Sequence, residues 1–398
     1  MKYRVDVKSG NELSILGFGC MRFPRYLTQI DVKKTERLIM NAIENGVNYF
    51  DCAYIYNGSE ETLGRILEKN NARDKVYIAT KLPLMKCAAY EDFDKLFETQ
   101  LQKLHTDHID YYLMHNLSDM QLWKDLCGLG VEKWIVEKKA AGQIKQIGFS
   151  FHGMQNEFME LLDEYEWDFC QIQYNYININ YQAGAAGLRK AAEKGLSVIV
   201  MEPLLGGRLA AGLPKKATEL FSSADAGFSP AAWAFRWLWN QKEVTVVLSG
   251  MNADAQLDEN LKTAEDSLPD MFSEQESILF TSVAEVFDAY YKVPCTGCNY
   301  CMPCPKNVNI PACFSAYNMS YAVGMISAIQ QYATSTGGFS PQKDYSASLC
   351  IKCGKCREHC PQHIDIPNEL EKVKKRMEPF WYRGIKAVMT SGRAKKQP

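Results

Sequence analysis

Two runs of cysteine near the C-terminus carry the most specific chemistry in this chain. They read Cys295-Thr-Gly-Cys298-Asn-Tyr-Cys301-Met-Pro-Cys304-Pro305 and Cys350-Ile-Lys-Cys353-Gly-Lys-Cys356-Arg-Glu-His-Cys360-Pro361. Three thiols two residues apart, a fourth after three more and then a proline is a spacing that wraps a cubane iron–sulfur cluster. The segments that follow, Pro305-Lys-Asn-Val-Asn-Ile-Pro311 and Pro361-Gln-His-Ile-Asp-Ile-Pro367, also match, so one unit is used twice. Paired CxxC units suit tetrahedral zinc as well. Three or four thiols in one tight run, closed by a proline, favour iron–sulfur. Only Met302 and Pro303 separate Cys301 from Cys304, so Cys304 and Cys313 both stand as the fourth thiol of the first run.

The elements that must position reactive groups are legible upstream. Short apolar runs alternate with amphipathic helical stretches from residue 13 to 267, the pattern of βα units in a parallel sheet. Runs at 13–18, 47–50, 76–79, 109–114, 146–149, 169–172, 197–200 and 244–248 read as eight strands, which predicts an α/β fold of the (β/α)8 TIM-barrel type. An N-terminal β-hairpin, 3–7 and 12–15 about a glycine turn, precedes them and can plug the barrel floor. Thr28 is expected to cap the first helix, Asp92 to open a later one, and Gly142 and Gly195 to end others. Reactive side chains in such a barrel sit at the C-terminal strand ends. Reading past each strand gives Asp51, Lys81, His115, Ser150, Gln173 and Ser249, polar groups that packing alone does not require and that together line one rim.

At 398 residues the chain exceeds what one core usually fills. The expected parts are the barrel over 1–270, a linker helix over 271–293, a smaller, mainly helical iron–sulfur domain over 294–370 with a helical insert, and a basic tail over 371–398. The tail reads as a solvated helix and frayed terminus rather than a docking segment. With 46% hydrophobic residues, 23% charged and a net charge of −2, the composition is that of an ordinary globular protein with no drive toward nucleic acid. The absence of a leader and of a transmembrane segment predicts a cytoplasmic location. Cys20, Cys52, Cys87, Cys127, Cys170 and Cys313 lie scattered among apolar residues, as suits reduced, buried thiols.

Phe50-Asp51-Cys-Ala-Tyr-Ile-Tyr56-Asn-Gly-Ser59-Glu60, Ala79-Thr80-Lys81 and Tyr112-Leu-Met-His115 resemble the Asp, Tyr, Lys, His tetrad of the aldo-keto reductase superfamily in type and order. Ile147-Gly-Phe-Ser150, Gln171-Ile-Gln173-Tyr-Asn175, Glu202-Pro203-Leu204 and Gln256-Leu-Asp-Glu259-Asn260 follow that family's cofactor segments. The C-terminal runs resemble the two-cluster ferredoxin-like domain of an iron–sulfur branch of the superfamily. Two-cluster ferredoxins cross their fourth ligands. The resemblance therefore implies two 4Fe-4S clusters, one on Cys295, Cys298, Cys301 and Cys360, the other on Cys350, Cys353, Cys356 and Cys304.

For the barrel, the resemblance implies hydride transfer between a nicotinamide and a carbonyl or alcohol. Tyr56 would be the general acid/base, Lys81 would lower its pKa, Asp51 would hold Lys81, and His115 would position the substrate oxygen. It implies cofactor contacts at Ser150, Gln173, Met201, Pro203, Leu204, Ser249, Gly250, Gln256, Glu259 and Asn260, with Met201 standing where a stacking aromatic is usual. The segment 249–256 contains no Lys or Arg, and Asp254 would repel a 2′-phosphate. NADPH is accordingly expected to be less favoured than NADH, with FMN a further option. The expected partners are a small carbonyl or unsaturated substrate and a ferredoxin or another electron carrier. Two roles stay open for the clusters, electron transfer or stapling of a C-terminal lid.

Overall fold

The structure is a computed structural model. It describes residues 1–398 except 28, 154, 181, 208, 212, 225–226, 291, 294, 296–300, 323, 337–343, 361–363 and 385–398. The chain divides into two compact units, residues 1–210 with 228–273 and residues 211–227 with 274–398.

The first unit begins with an antiparallel hairpin, β1 (Tyr3–Val5) and β2 (Glu12–Ser14), with Tyr3 opposite Ser14. Gly10, at φ 77°, supplies the left-handed residue of its turn. Next come β3 (Leu16–Gly19), a small ribbon of β4 (Arg25–Tyr26) and β5 (Gln29–Ile30), and then β6 (Tyr49–Asp51), β7 (Tyr77–Leu82), β8 (Ile109–Met114), β9 (Ile144–Phe151), β10 (Phe169–Gln173), β11 (Ser197–Met201) and β12 (Val244–Ser249). β3 and β6 to β12 close into a parallel barrel, in which β12 returns to pair with β3. All eight predicted strands are present. The first starts later than the apolar run suggested, because residues 12–14 are taken by the hairpin.

Alternate residues of each strand face the barrel interior. The interior is apolar around Leu13, Tyr49, Tyr111, Leu113, Phe169, Ile199 and Val246. Gly17 is required by this packing, since a Cβ there would lie 2.7 Å from Val246 Cγ1 and 2.8 Å from Leu248 Cδ2. A larger core fills the space between strands and helices, with Trp123, Trp134, Trp167, Phe97 and Phe149 among its buried rings.

Three helices matter most for the site: α1 (Val32–Glu44), α2 (Ser59–Lys69) and α3 (Tyr90–Leu104). Asp31 caps α1 by accepting from the Lys34 amide, whereas Thr28 lies outside the described residues. Asp92 sits in the first turn of α3, where its carboxylate accepts from the Ala88 and Ala89 amides. Gly142 and Gly195, at φ 70° and 74°, follow helix ends as expected.

In the second unit, helix Lys215–Ser223 packs on helix Glu274–Tyr290, with the Phe221 and Phe280 rings 5.9 Å apart. Residues 211–227, expected within the barrel, thus cluster here. Helices Ile310–Ala322, Met325–Ser335 and Ile366–Met377 enclose a core of Val308, Ile310, Phe314, Tyr332, Leu370, Val373 and Met377. Among the described residues, no helix is long and apolar enough to cross a membrane.

Candidate functional site

The ends of β6, β7 and β8 bring the four tetrad residues together. Lys81 Nζ donates to Asp51 Oδ1 and to the Cys52 carbonyl, both at 2.6 Å, and the two charged side chains are almost wholly buried. The ammonium lies 5.3 Å from the centroid of the Tyr56 ring. The His115 ring stands edge-on to that ring, 6.1 Å away at 90°. Tyr56 is held in a tight turn after β6: its amide donates to the Ala53 carbonyl, and its own carbonyl accepts from the Ser59 amide. Gly58, at φ 75°, lets the chain turn from Tyr56 into α2.

Burial opposes the Lys81 ammonium, but Asp51 and Tyr56 more than compensate and raise its pKa, so it stays charged. Burial raises the Asp51 carboxyl against the pull of the same ammonium. For Tyr56 the net direction differs from expectation. Lys81 is the strongest influence and lowers the phenol, yet burial, Asp51, Cys52 and Cys20 together outweigh it and leave the pKa above the ordinary tyrosine value. Burial is the largest of these opposing causes, with Asp51 next. Burial, followed by Lys81 and His152, pushes His115 down to about 3, so its imidazole is neutral.

The residues expected at the cofactor separate into two groups. Ser150, Gln173 and Met201 lie on neighbouring strands, with Gln173 paired in register with Met201. Ser150 Oγ accepts from the Asn116 amide at 2.8 Å. Gln173 is 2% exposed, yet neither atom of its amide has a hydrogen-bond partner among the described residues. Gln171 is also buried and lies opposite Ser150 in the β9–β10 ladder; its Nε2 is 3.5 Å from Met201 Sδ, and its Oε1 has no partner among the described residues. Buried amides are rarely left unpaired, so this strand presents groups suited to a polar ligand. Pro203 and Leu204 lie in the turn after β11, where Glu202 and Leu205 adopt left-handed backbone at φ 54° and 45°. Left-handed non-glycine residues cluster where function over-determines a loop.

The second group lies at the end of β12, in the loop that follows and in the helix Asp254–Glu265 beyond it. Ser249 Oγ accepts from Asn260 Nδ2 (3.0 Å), Gln256 Oε1 accepts from the Asn252 amide (2.9 Å), and the Glu259 carbonyl accepts from Thr263 Oγ1. The first two tie the strand end and the loop to that helix, and the third lies within it. A Cβ on Gly250 would lie 3.2 Å from the Arg22 side chain. Asp254 is not the isolated repulsive charge expected from sequence. Arg37 of α1 grips it with two bonds, Nε to Oδ1 at 3.0 Å and Nη2 to Oδ2 at 2.7 Å. A cation absent from the loop is thus supplied by a helix far away in sequence.

In the second unit, Cys304, Cys350, Cys353 and Cys356 line one cavity, walled by Ile310, Ile351, Gly354 and Leu370. Cys313 does not reach it: that thiol is buried in the core, 3.9 Å from the Tyr345 carbonyl. Cys295, Cys301 and Cys360 pack against the same core, and Cys298 lies outside the described residues. Zinc draws four ligands to within about 2.3 Å of one point. Among the described residues, no three His, Cys, Asp or Glu side chains are grouped to hold a single ion. Four thiols spread around a cavity instead fit a polynuclear cluster. Burial, then Cys350 and the other neighbouring thiols, push Cys356 up to about 11, an arrangement that bound iron stabilises by taking the thiolates as ligands.

The sequence model of the aldo/keto reductase family matches residues 15–276, and that of a 4Fe-4S dicluster domain matches residues 294–364. The chain belongs to the aldo/keto reductase family. The uncharacterized oxidoreductase YrpG of Bacillus subtilis is 27% identical over 238 residues, which are 52% of this chain and 68% of that protein. Of several further relatives the chain spans half the length or less. Aldo-keto reductase AKR11C1 from Bacillus halodurans, in its holo form, superposes with a TM-score of 0.59 at 23% identity, over 71% of this chain and 96% of that one. An aldo-keto reductase from Klebsiella pneumoniae in complex with NADPH gives 0.58 at 20%, over 71% and 95%. These two likenesses show the barrel fold. Family and relatives together make this aldo/keto reductase an oxidoreductase with a C-terminal 4Fe-4S domain.

Two residues beside the candidate site were not among those the sequence singled out. Gln171 stands in the cofactor-like segment that pointed to Gln173, and the spacing of two puts both on the same face of β10. Arg37 had no local signal at all, because its contact with Asp254 exists only once α1 lies beside the last βα loop.

Proposed function

We propose that this aldo/keto reductase reduces a carbonyl, or oxidises the corresponding alcohol, with a nicotinamide cofactor, and that its C-terminal domain exchanges electrons with an external one-electron carrier. The observation that carries the first part is the buried Asp51–Lys81 pair beside Tyr56, with a neutral His115 across the ring. When bound, a reduced nicotinamide would supply the hydride and the iron–sulfur clusters one-electron steps, with FMN the carrier needed to split the hydride's electron pair between them. Tyr56 delivers the proton to the carbonyl oxygen as the hydride reaches carbon, which closes the balance to an alcohol. Its raised pKa keeps it protonated before turnover. Lys81 stabilises the phenolate left behind, and Asp51 keeps Lys81 charged and aimed. His115, uncharged, donates a hydrogen bond to the substrate oxygen and fixes its approach. Ser150, Gln171 and Gln173 would hold the carboxamide of the nicotinamide, with Met201 beside its ring. The pairing of Asp254 with Arg37 removes much of the repulsion toward a 2′-phosphate, so the expected preference for NADH over NADPH is small.

Cys304, Cys350, Cys353 and Cys356 would hold one cluster, and Cys295, Cys298, Cys301 and Cys360 the other. Cys353 and Ile351 are exposed at the first cavity, which gives a ferredoxin-like carrier access to it. A structural role is the second reading, favoured by the packing of these cysteines against the apolar core. The test is turnover of a panel of aldehydes and ketones with NADH, NADPH or reduced FMN by the iron-replete protein. Tyr56→Phe is expected to lose about 10²–10⁴-fold in kcat while retaining nicotinamide binding; unchanged turnover would sink the assignment.

A further inference from the structure

Glu60 is a buried carboxylate that the proposed reaction leaves unused. It stands in the first turn of α2, 2% exposed. Its Oε1 accepts from Thr80 Oγ1 at 2.6 Å and from Gln100 Nε2 at 2.7 Å, while Lys103 approaches its other oxygen only to 3.9 Å. Gln100, fully buried on α3, carries the network further. Its Nε2 also donates to the Lys81 carbonyl (3.0 Å) and lies 3.1 Å from Thr80 Oγ1, and its Oε1 accepts from the Tyr112 hydroxyl (2.7 Å). A carboxylate withdrawn from water without a close cation is costly, and an apolar contact between α2 and β7 would do the packing without that cost. The network therefore calls for a role other than cohesion.

Its connections supply one. Glu60 follows Tyr56 by a single turn, in which the Ser59 amide donates to the Tyr56 carbonyl and the Thr62 amide to the Gly58 carbonyl. Thr80 immediately precedes Lys81, and strand alternation sends the Thr80 hydroxyl outward to the helices while Lys81 points into the barrel. The Glu60–Thr80 bond thus joins the segment that carries Tyr56 to the strand that carries Lys81, and Gln100 fixes the carbonyl of Lys81 itself. We propose that Glu60, through Thr80 and Gln100, is a positioning residue that sets the separation of the Lys81 ammonium from the Tyr56 ring. The role rests on Tyr56 being the proton donor. Displacements near 1 Å in such a constellation can cost on the order of 100-fold in rate.

Thr80→Val keeps the volume and deletes the hydroxyl that links the two segments; Thr80→Ser restores it. Glu60→Gln removes the charge at constant shape. The expected result for Thr80→Val is a kcat lower by about tenfold or more with KM little changed. Thr80→Ser is expected to match the wild type, and Glu60→Gln to fall between. A second readout does not depend on turnover. In protein labelled with [ζ-¹³C]tyrosine, with Tyr56→Phe assigning the signal, the Tyr56 phenol is expected to titrate at higher pH in Thr80→Val, because the ammonium that holds it down has withdrawn. Thr80→Val and Glu60→Gln proteins that lose only stability, with the Tyr56 titration and kcat of the wild type, would overturn the proposal. If the wild type reduces no carbonyl, the proposed reaction fails, and the tyrosine titration alone decides the role of Glu60.

Discussion

Lys81 and Asp51 form a charge pair that water barely reaches, so each makes the other tolerable. Removing one partner of such a pair leaves an uncompensated buried charge and typically costs about 3–5 kcal/mol. Lys81→Met is expected to lose that much stability by urea denaturation along with its turnover. The double variant Asp51→Asn, Lys81→Met is expected to regain stability without activity, which separates the fold's need for the pair from the chemistry's. His115 makes a further claim at this scale. Its folded pKa near 3 lies below the unfolded value near 6.5. The unfolded chain therefore binds a proton that the folded chain refuses, and stability present above pH 6.5 is lost as pH falls toward 3. The slope is at most about 1.4 kcal/mol per pH unit, and less in practice because the ring is partly exposed. His115→Gln should flatten that part of the stability profile, measured as denaturation midpoints between pH 7 and 4.5.

The elements that aim these side chains depend on close backbone approach. In α2, a Cβ on Gly64 would lie 2.4 Å from the Lys103 carbonyl oxygen and 2.7 Å from Leu104 Cα, both backbone atoms of the α3 end. Alanine there gains up to about 1 kcal/mol of helix propensity, but overpacking against backbone costs about 1–3 kcal/mol, so the clash wins. Gly64→Ala is expected to destabilise the protein by about 1–2 kcal/mol and to reduce kcat as well, because α2 carries Glu60 and α3 carries Gln100. A variant destabilised with full kcat would mean that the helix seam is not transmitted to the site.

At the scale of the molecule, the two units differ in what holds them. The barrel has an extensive apolar core of its own, whereas the smaller unit packs its cysteines against a modest one. Anaerobic chelation of iron is expected to lower the melting transition of the C-terminal unit and to abolish electron transfer from NADH or NADPH to a one-electron dye in the presence of FMN, the carrier that splits the hydride's electron pair. Nucleotide binding, followed by fluorescence, should persist. If the dye activity survives iron removal while the transition collapses, the clusters act as staples and the electron-transfer role is lost.

The sequence by itself determined what local rules govern. Apolar runs of strand length gave the eight strands, polar residues at their ends gave Asp51, Lys81, His115 and Ser150, and the spacing of Cys350, Cys353 and Cys356 marked a cluster, because each of these signals lies within one short segment. Whether Cys304 or Cys313 reaches those three could be decided only by the tertiary structure, which turns one thiol into the cavity and the other into the core. It also decided the charge environment of Tyr56, where burial together with Asp51, Cys52 and Cys20 outweighs the neighbouring ammonium, and the pairing of Asp254 with Arg37, 217 residues away. These are sums over groups brought together by closure of the barrel, and no window of sequence contains them.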